Sequence, residues 1–142
     1  DFPDPNNFAL GKLYSTRFYN LLKTALRPDS ALAIQSTSPL YARNSYWCIV
    51  KTLESTGFKV KPYQTTVPSF GIWGYVLAKQ SDFEKPANIP KDLKLKFLDS
   101  DSMVSMFDLP ADTSMPEEEI EINRLDNQAL VRYYESEWRR FE

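Results

Sequence analysis

Apolar residues recur with helical spacing in three parts of the chain. Residues 13–26 carry them on one face, and Ser15 stands where an N-cap residue is expected. Residues 41–56 repeat the pattern, and Gly57 suits the C′ position that follows a helix. Residues 123–141 place Leu, Tyr, Trp and Phe on one face. The pattern predicts three helices over these ranges.

Shorter apolar runs predict strands. Residues 31–36 are mostly apolar, which is typical of a strand buried on both faces of a parallel sheet. Residues 58–63 and 73–79 are further strand candidates, with 64–71 between them as a loop. A weaker alternation over 93–98 predicts a short edge strand.

The order helix, strand, helix, strand, strand predicts an α/β fold. It fits the second half of a doubly wound sheet that ends in a hairpin-like pair, with a C-terminal helical extension. Residues 1–12 are predicted to be a loop, 102–107 one or two helical turns, and 110–121 an acidic loop.

Composition narrows the chemistry. The chain has 142 residues, 42% hydrophobic and 25% charged, which suits one soluble globular domain. Its net charge of −2 argues against nucleic acid as a partner. The chain has no histidine, which excludes a Ser-His-Asp triad, a Cys-His pair and the usual His-based zinc sites within it. No metal site is expected. Proton transfer is left to carboxylates, Tyr or Lys.

Open α/β sheets bind ligands beyond the carboxyl ends of their strands, which directs attention to the loops 1–12, 35–41 and 64–72. In the first, Pro3 and Pro5 restrict the backbone around Asp4, three residues after Asp1. Such a carboxylate pair suits cation recognition and proton abstraction from an amine. A solvated turn is the simpler alternative.

The loop Pro-Ser-Phe-Gly-Ile-Trp-Gly at 68–74 is either a hairpin whose aromatics pack the core or an aromatic wall beside a substrate. Simple structural roles are expected elsewhere. Gln35, Ser36 and Ser38 would satisfy backbone groups, and 117–119 would be a solvated acidic run. Cys48 would be a packed thiol, and as the lone cysteine it indicates a reducing compartment.

These segments together resemble the polyamine aminopropyltransferases, the spermidine/spermine synthases, and most closely a bacterial branch of them. The match spans nearly the whole chain, and its motifs are specific only in combination. They are Asp-Phe-Pro-Asp-Pro (1–5), Leu-Tyr-Ser (13–15), Phe-Tyr-x-Leu-Leu (18–22), Gln-Ser-Thr-Ser-Pro (35–39), Tyr-Trp-Cys (46–48), Val-Pro-Ser-Phe-Gly-x-Trp-Gly-Tyr-Val (67–76) and Leu-Asp-Asn-Gln-Ala-Leu-Val-Arg-Tyr-Tyr (125–134).

The resemblance implies a Rossmann-type, methyltransferase-like fold. Residues 1–80 would be the C-terminal half of the aminopropyltransferase domain and 81–142 a family-specific extension. The implied reaction moves an aminopropyl group from decarboxylated S-adenosylmethionine to a diamine such as putrescine, giving spermidine and methylthioadenosine. No cofactor or metal is needed beyond that co-substrate.

The resemblance also assigns residues. Asp1 would be the catalytic base, and Asp4 would hold the diamine. Gln35, Phe70 and Trp73 would line the amine site, while Pro5 and Leu13 would contact the co-substrate. Phe70 stands near a family tyrosine, so a hydroxyl is lost there and the polyamine specificity is in question. Asn6-Asn7 and Ile72 also depart from the usual pattern.

The family's Gly-rich co-substrate loop and the acidic residue for its ribose precede the first aspartate and are not in this chain. The chain is therefore expected to be a fragment that is inactive alone. The parent is expected at the cytoplasmic face, with membrane spans ahead of this domain, and a homodimer is a further expectation.

Two other interpretations stay open. The first is an S-adenosylmethionine-dependent methyltransferase, although Asp-Pro-Asn-Asn at 4–7 lacks the aromatic residue of an Asp-Pro-Pro-Tyr loop. The second is a non-catalytic, strand-exchanged dimer formed through an unpaired sheet edge.

Overall fold

Helices and strands alternate along the first half of the chain and give way to a mostly irregular second half. The computed structural model describes residues 2–139. A 3₁₀ turn, Lys12–Tyr14, joins the first two helices. The elements are α1 Phe8–Gly11, α2 Thr16–Ala25, β1 Ala31–Gln35, α3 Arg43–Ser55, β2 Lys59–Val67, β3 Gly71–Lys79, α4 Ser100–Met106 and α5 Ala129–Trp138.

The sheet has the order β1-β3-β2, and β3 is antiparallel to both neighbours. Leu77 of β3 pairs with Ala33 on one side and with Lys61 on the other. Strands β1 and β2 therefore run in the same direction, joined by α3 and separated by β3. The predicted α/β architecture is confirmed. Because β1 and β2 run in the same direction, their carboxyl ends lie at the same end of the sheet.

The prediction that the first strand is a parallel-type strand buried on both faces is wrong. Its neighbour is the antiparallel β3, and Ala31 and Ala33 are exposed. Among the described residues β3 is the only strand paired with β1. A run of small apolar residues does not by itself specify the neighbouring strand, because that choice is a long-range property. The hairpin formed by β2 and β3 is also longer than predicted. The β-branched Thr65, Thr66 and Val67, predicted to lie in a loop, extend β2.

Local capping explains where the first helices begin and end. Ser15 Oγ accepts a hydrogen bond from the Phe18 N–H at 3.3 Å, so α2 begins after Ser15 rather than at 13. The predicted loop 1–12 contains α1, whose N-cap Asn7 accepts from the Leu10 N–H. Gly57 follows α3 with a φ of 87°, which confirms its predicted C′ role.

The second half of the chain differs more from the sequence predictions. Residues 93–98 form no strand, and the alternating Leu93, Leu95 and Phe97 are exposed. The helix predicted at 102–107 is confirmed as α4, and the loop at 110–121 is confirmed. Within residues 2–139, no helix has the length and apolar character that a membrane span requires.

The terminal helix begins at 129, not 123. The Asn127 side chain accepts hydrogen bonds from the Arg124 and Ala129 N–H groups, which holds 124–128 in a turn. Gln128 adopts a left-handed conformation, with φ 49°. The predicted end of this helix, at 141, lies outside the described residues.

Helix α3 is the centre of the core. Tyr46, Ile49, Val50 and Leu53 are fully buried, and they pack with Val76 and Ala78 of β3 and with Leu130 of α5. The thiol at position 48 is buried there too, and burial raises the pKa of Cys48 to about 12. This confirms a packed thiol rather than a nucleophile.

Asn123 joins three parts of the chain. Its Nδ2 donates to the carbonyls of Gly11 and Tyr14, at 3.0 and 3.2 Å. Its Oδ1 accepts from the Leu130 N–H of α5, and its backbone N–H donates to Thr52 Oγ1 of α3. The extension is thereby bound to the turn that follows the N-terminal loop.

Replacing Asn123 by Ala should lower the free energy of unfolding by about 2–4 kcal/mol, because buried carbonyls and an N–H lose their partners. Urea unfolding followed by circular dichroism measures this. Asn20→Ala, on the exposed side of α2, is the matched control and should change stability by less than about 0.5 kcal/mol. Equal effects of the two variants would contradict the proposed role of Asn123.

Candidate functional site

Three loops predicted to lie at the carboxyl ends of the strands meet at one groove. It has a volume of about 440 Å³ and is open to solvent. Asp4 comes from the first loop, Tyr41 from the segment after β1, and Ser69 and Phe70 from the β2–β3 turn. The full lining is Asp4, Tyr41, Ser69, Phe70, Trp73, Tyr134 and Trp138.

The backbone around Asp4 is held from both sides. Tyr14 donates its hydroxyl to the carbonyl of Pro3 at 3.0 Å. The Asn6 N–H donates to the Asp4 carbonyl at 2.8 Å, which makes a tight turn. Pro5 is buried. The two prolines and these hydrogen bonds restrict the backbone from which the Asp4 side chain projects, as the sequence predicts.

The Asp4 carboxyl has one bonded and one unbonded oxygen. Tyr134 donates its hydroxyl to Oδ2 at 2.9 Å. Oδ1 is buried, and no donor among residues 2–139 reaches it with hydrogen-bond geometry. Burial raises the pKa of Asp4 above its ordinary value, while the hydrogen bond from Tyr134 and the nearby Gln35 amide lower it by less. A cationic donor at the carboxyl would offset this desolvation.

Aromatic rings form the rest of the groove in two pairs. Phe70 and Trp73 lie 5.1 Å apart between ring centroids, and Tyr134 and Trp138 lie 5.8 Å apart. Tyr41 contacts Trp138 at 6.3 Å. Ring faces attract cations and pack against methylene groups. One carboxylate beside several rings therefore suits an alkylammonium ligand.

The loop after β1 is shaped by an unusual close approach. Thr37 has a φ of 59°, a conformation that costs a β-branched residue energy. Its carbonyl accepts from the Gly74 N–H at 2.7 Å. A Cβ at Gly74 would lie 2.8 Å from that carbonyl oxygen and would collide with the Tyr46 ring, so only glycine fits there.

The predicted structural roles of the two serines in that loop are confirmed. Ser36 Oγ donates to the Ile34 carbonyl, and Ser38 Oγ donates to the Ile72 carbonyl at 2.6 Å. Gln35 differs, because its amide acts on the Asp4 carboxyl. Residues 117–119 are exposed, as expected for a solvated acidic run.

The structure brings together Asp4, Phe70 and Trp73 of the predicted site, with Gln35 beside them. Asp1, the predicted base, lies outside the described residues. Pro5 and Leu13 do not line the groove, and Leu13 is half-buried against the core. Within residues 2–139, no three His, Cys, Asp or Glu side chains gather closely enough to hold a metal ion.

Sequence analysis missed Tyr41, Tyr134 and Trp138. The last two stand on the apolar face of the terminal helix, where their spacing predicts burial in a core. They do pack against one another, but they also line the groove. Helical spacing cannot distinguish these two roles, because both need the ring to face inward.

The raised pKa of Asp4 predicts a pH dependence of stability. Folded Asp4 binds protons at pH values where the unfolded chain does not, so its contribution to the free energy of unfolding falls as pH rises from the ordinary pKa of 3.8 through the raised value. Asp4→Asn should remove this loss. The variant should gain up to about 1 kcal/mol relative to wild type between pH 4 and pH 8, limited by the partial exposure of the carboxyl.

Urea unfolding across this pH range measures the difference. Asp92→Asn removes the same charge from an exposed loop and is the matched control. If Asp4→Asn and Asp92→Asn give the same pH dependence, burial does not destabilise the Asp4 carboxylate.

Comparison with known proteins shows which family the chain is similar to. The model of the spermine/spermidine synthase domain matches residues 1–88. The polyamine aminopropyltransferase of Leptospira interrogans is 54% identical over 99% of this chain. Polyamine aminopropyltransferase 2 of Ralstonia nicotianae is 46% identical over 97% of it. The chain spans about 27% of the length of each of these relatives.

Solved structures show the same fold. The spermidine synthase of Thermotoga maritima superposes with a TM-score of 0.54 at 25% identity, over 69% of this chain and 36% of that one. A spermidine synthase in complex with the transition-state analogue AdoDATO gives the same score and identity, over 69% of this chain and 37% of that one. The three-stranded sheet with its antiparallel β3 is thus part of a methyltransferase-like fold, and the chain belongs to the spermine/spermidine synthase family.

Proposed function

We propose that this chain forms the acceptor-amine side of the catalytic domain of a polyamine aminopropyltransferase. The domain would transfer an aminopropyl group from decarboxylated S-adenosylmethionine to a diamine such as putrescine, giving spermidine and methylthioadenosine. The observation that carries the proposal is the partly desolvated Asp4 carboxylate at an aromatic groove, inside the segment that matches the family.

The groove suits an amine that carries an ammonium group. The Asp4 carboxylate would accept a hydrogen bond from that ammonium, and the opposite charges would favour the ionised form that burial disfavours. The rings of Phe70 and Trp73 would lie along the alkyl chain. Gln35, whose amide acts on the same carboxyl, would help to fix its orientation.

The transfer needs a free amine. An alkylamine has a pKa of about 10 and arrives protonated, so a base must take a proton before its nitrogen can attack. Asp1 is proposed as that base. The nitrogen then forms a bond to the propyl carbon, the carbon–sulfur bond breaks, and its electron pair neutralises the sulfonium. Because sulfur leaves as a neutral thioether, no cofactor or metal need activate the carbon, and positioning supplies much of the rate.

The remaining expectations belong to this proposal. Pro5 and Leu13 would contact the co-substrate, and residues upstream of Asp1 would bind most of it. The division at residue 80, a homodimer, and a parent with membrane spans at the cytoplasmic face stay predictions. The chain of 142 residues is expected to give no turnover by itself.

The test uses the chain extended upstream through the whole domain, incubated with decarboxylated S-adenosylmethionine and a panel of diamines. Mass spectrometry should detect methylthioadenosine together with a matching polyamine. Asp1→Asn should lower the rate about 100-fold or more, since it removes the base. Asp92→Asn, with the same charge change on the surface, should leave the rate unchanged.

Absence of product from a folded protein that binds methylthioadenosine would overturn the reaction while keeping the fold. Methyl transfer from intact S-adenosylmethionine would then identify the methyltransferase alternative. Tight binding of methylthioadenosine to the 142-residue chain in a calorimetric titration would contradict the expectation that upstream residues hold the co-substrate.

A further inference from the structure

We infer that helix α5, which lies beyond residues 1–88 matched by the domain model, completes the acceptor-amine site. In this inference Tyr134 is a positioning residue for Asp4, and Trp138 adds a ring face for the alkylammonium group. The inference rests on the proposed function, because it assigns further residues to the same groove.

The geometry at Asp4 supports the positioning role of Tyr134. A carboxylate can rotate about its Cβ–Cγ bond, and the hydrogen bond from Tyr134 to Oδ2 restricts that rotation. Oδ1 is buried and has no hydrogen-bond partner within the part of the chain that the structure describes. Tyr134 therefore does more than line the groove, since it fixes the orientation of the Asp4 carboxylate there.

The hydroxyl of Tyr134 supplies the groove with the hydrogen-bond donor that Phe70 lacks. Phe70 is 59% exposed at the groove and offers a ring without a hydroxyl. Tyr134 lines the same groove from a distant part of the chain and directs its hydroxyl to Asp4. The groove thus has both an aromatic ring on the hairpin and a hydroxyl donor, supplied by two different residues.

Trp138 lies where its ring lines the groove. It stands one helical turn after Tyr134, and the two rings pack 5.8 Å apart between centroids. Tyr41 contacts the Trp138 ring from the loop after β1. The ligand class that fits is a primary alkylammonium, with its charge at Asp4 and its methylene chain against the rings.

Helix α5 is anchored firmly enough for such a role. The Glu137 carboxylate, which is buried, accepts from the backbone N–H groups of Asn44 and Ser45 and from Ser45 Oγ, at 2.7, 3.0 and 2.7 Å. These N–H groups belong to the first turn of α3, where a negative charge is favoured. Leu130 at the other end of α5 donates to Asn123 Oδ1.

The first experiment titrates 1,4-diaminobutane into the 142-residue chain and follows binding by calorimetry. Tyr134→Phe keeps the ring and removes only the hydroxyl, so affinity should fall about tenfold. Tyr133→Phe is the matched control on the same helix. It removes a hydroxyl that accepts from the Glu121 N–H and should leave affinity unchanged.

Trp138 is tested in the same titration. Trp138→Leu should weaken diamine binding several-fold, whereas Trp138→Phe, which keeps an aromatic face, should retain most of the affinity. Thermal unfolding of each variant checks that the fold is kept. Equal losses in the Leu and Phe variants would reject a role for the ring face.

The second experiment uses the upstream-extended protein and its transfer activity. Tyr134→Phe should raise KM for the diamine about tenfold, with kcat changed by less than about threefold and KM for decarboxylated S-adenosylmethionine unchanged. A residue that only supports the fold would lower kcat, or affect both substrates, instead.

The outcomes separate the two proposals. Transfer activity with an unchanged diamine KM in Tyr134→Phe would overturn the inference and leave the proposed function standing. If diamine binding depends on Tyr134 but the upstream-extended protein transfers no aminopropyl group, the proposed function is overturned and the inference stands. No diamine binding by the wild-type chain, or equal losses in Tyr133→Phe and Tyr134→Phe, would overturn the inference.

Discussion

The side-chain amide of Asn123 fixes the relation between the two ends of the chain. It donates to the turn that follows the Asp4 loop and accepts from the N-terminus of α5. The Thr52 hydroxyl, which accepts from the Asn123 N–H, links both to the central helix α3. The distance between Asp4 and Tyr134 depends on this arrangement, because each stands on a segment that Asn123 holds.

The groove combines a stability cost with the proposed binding of an amine. Burial makes the charged form of Asp4 unfavourable, and the Tyr134 hydroxyl offsets only part of that cost. An apolar residue at this position would pack without the penalty. An ammonium ligand would compensate the carboxylate, so the free energy lost in the empty site is recovered on binding.

Local signals in the sequence predicted the elements well where capping and turn chemistry decide. Ser15 and Gly57 mark helix boundaries through bonds and dihedral angles within a few residues of themselves. The neighbour of β1 could not be predicted, because its partners in β3 lie at least 40 positions away in the sequence. Family motifs pointed to Asp4, Phe70 and Trp73. Tyr134 ends the 125–134 motif, but neither that motif nor its helical spacing gave it a role, which appears only when the fold places it beside Asp4.

The hydrogen bond between Asp4 and Tyr134 joins residues 130 positions apart in the sequence. Synthesis proceeds from the N-terminus, and domains fold as units while the chain emerges. A nascent chain therefore carries the aspartate loop long before it carries α5. The proposed acceptor-amine site would be incomplete throughout this interval, so under that proposal unfinished polypeptides would bind a diamine less well than chains that include α5.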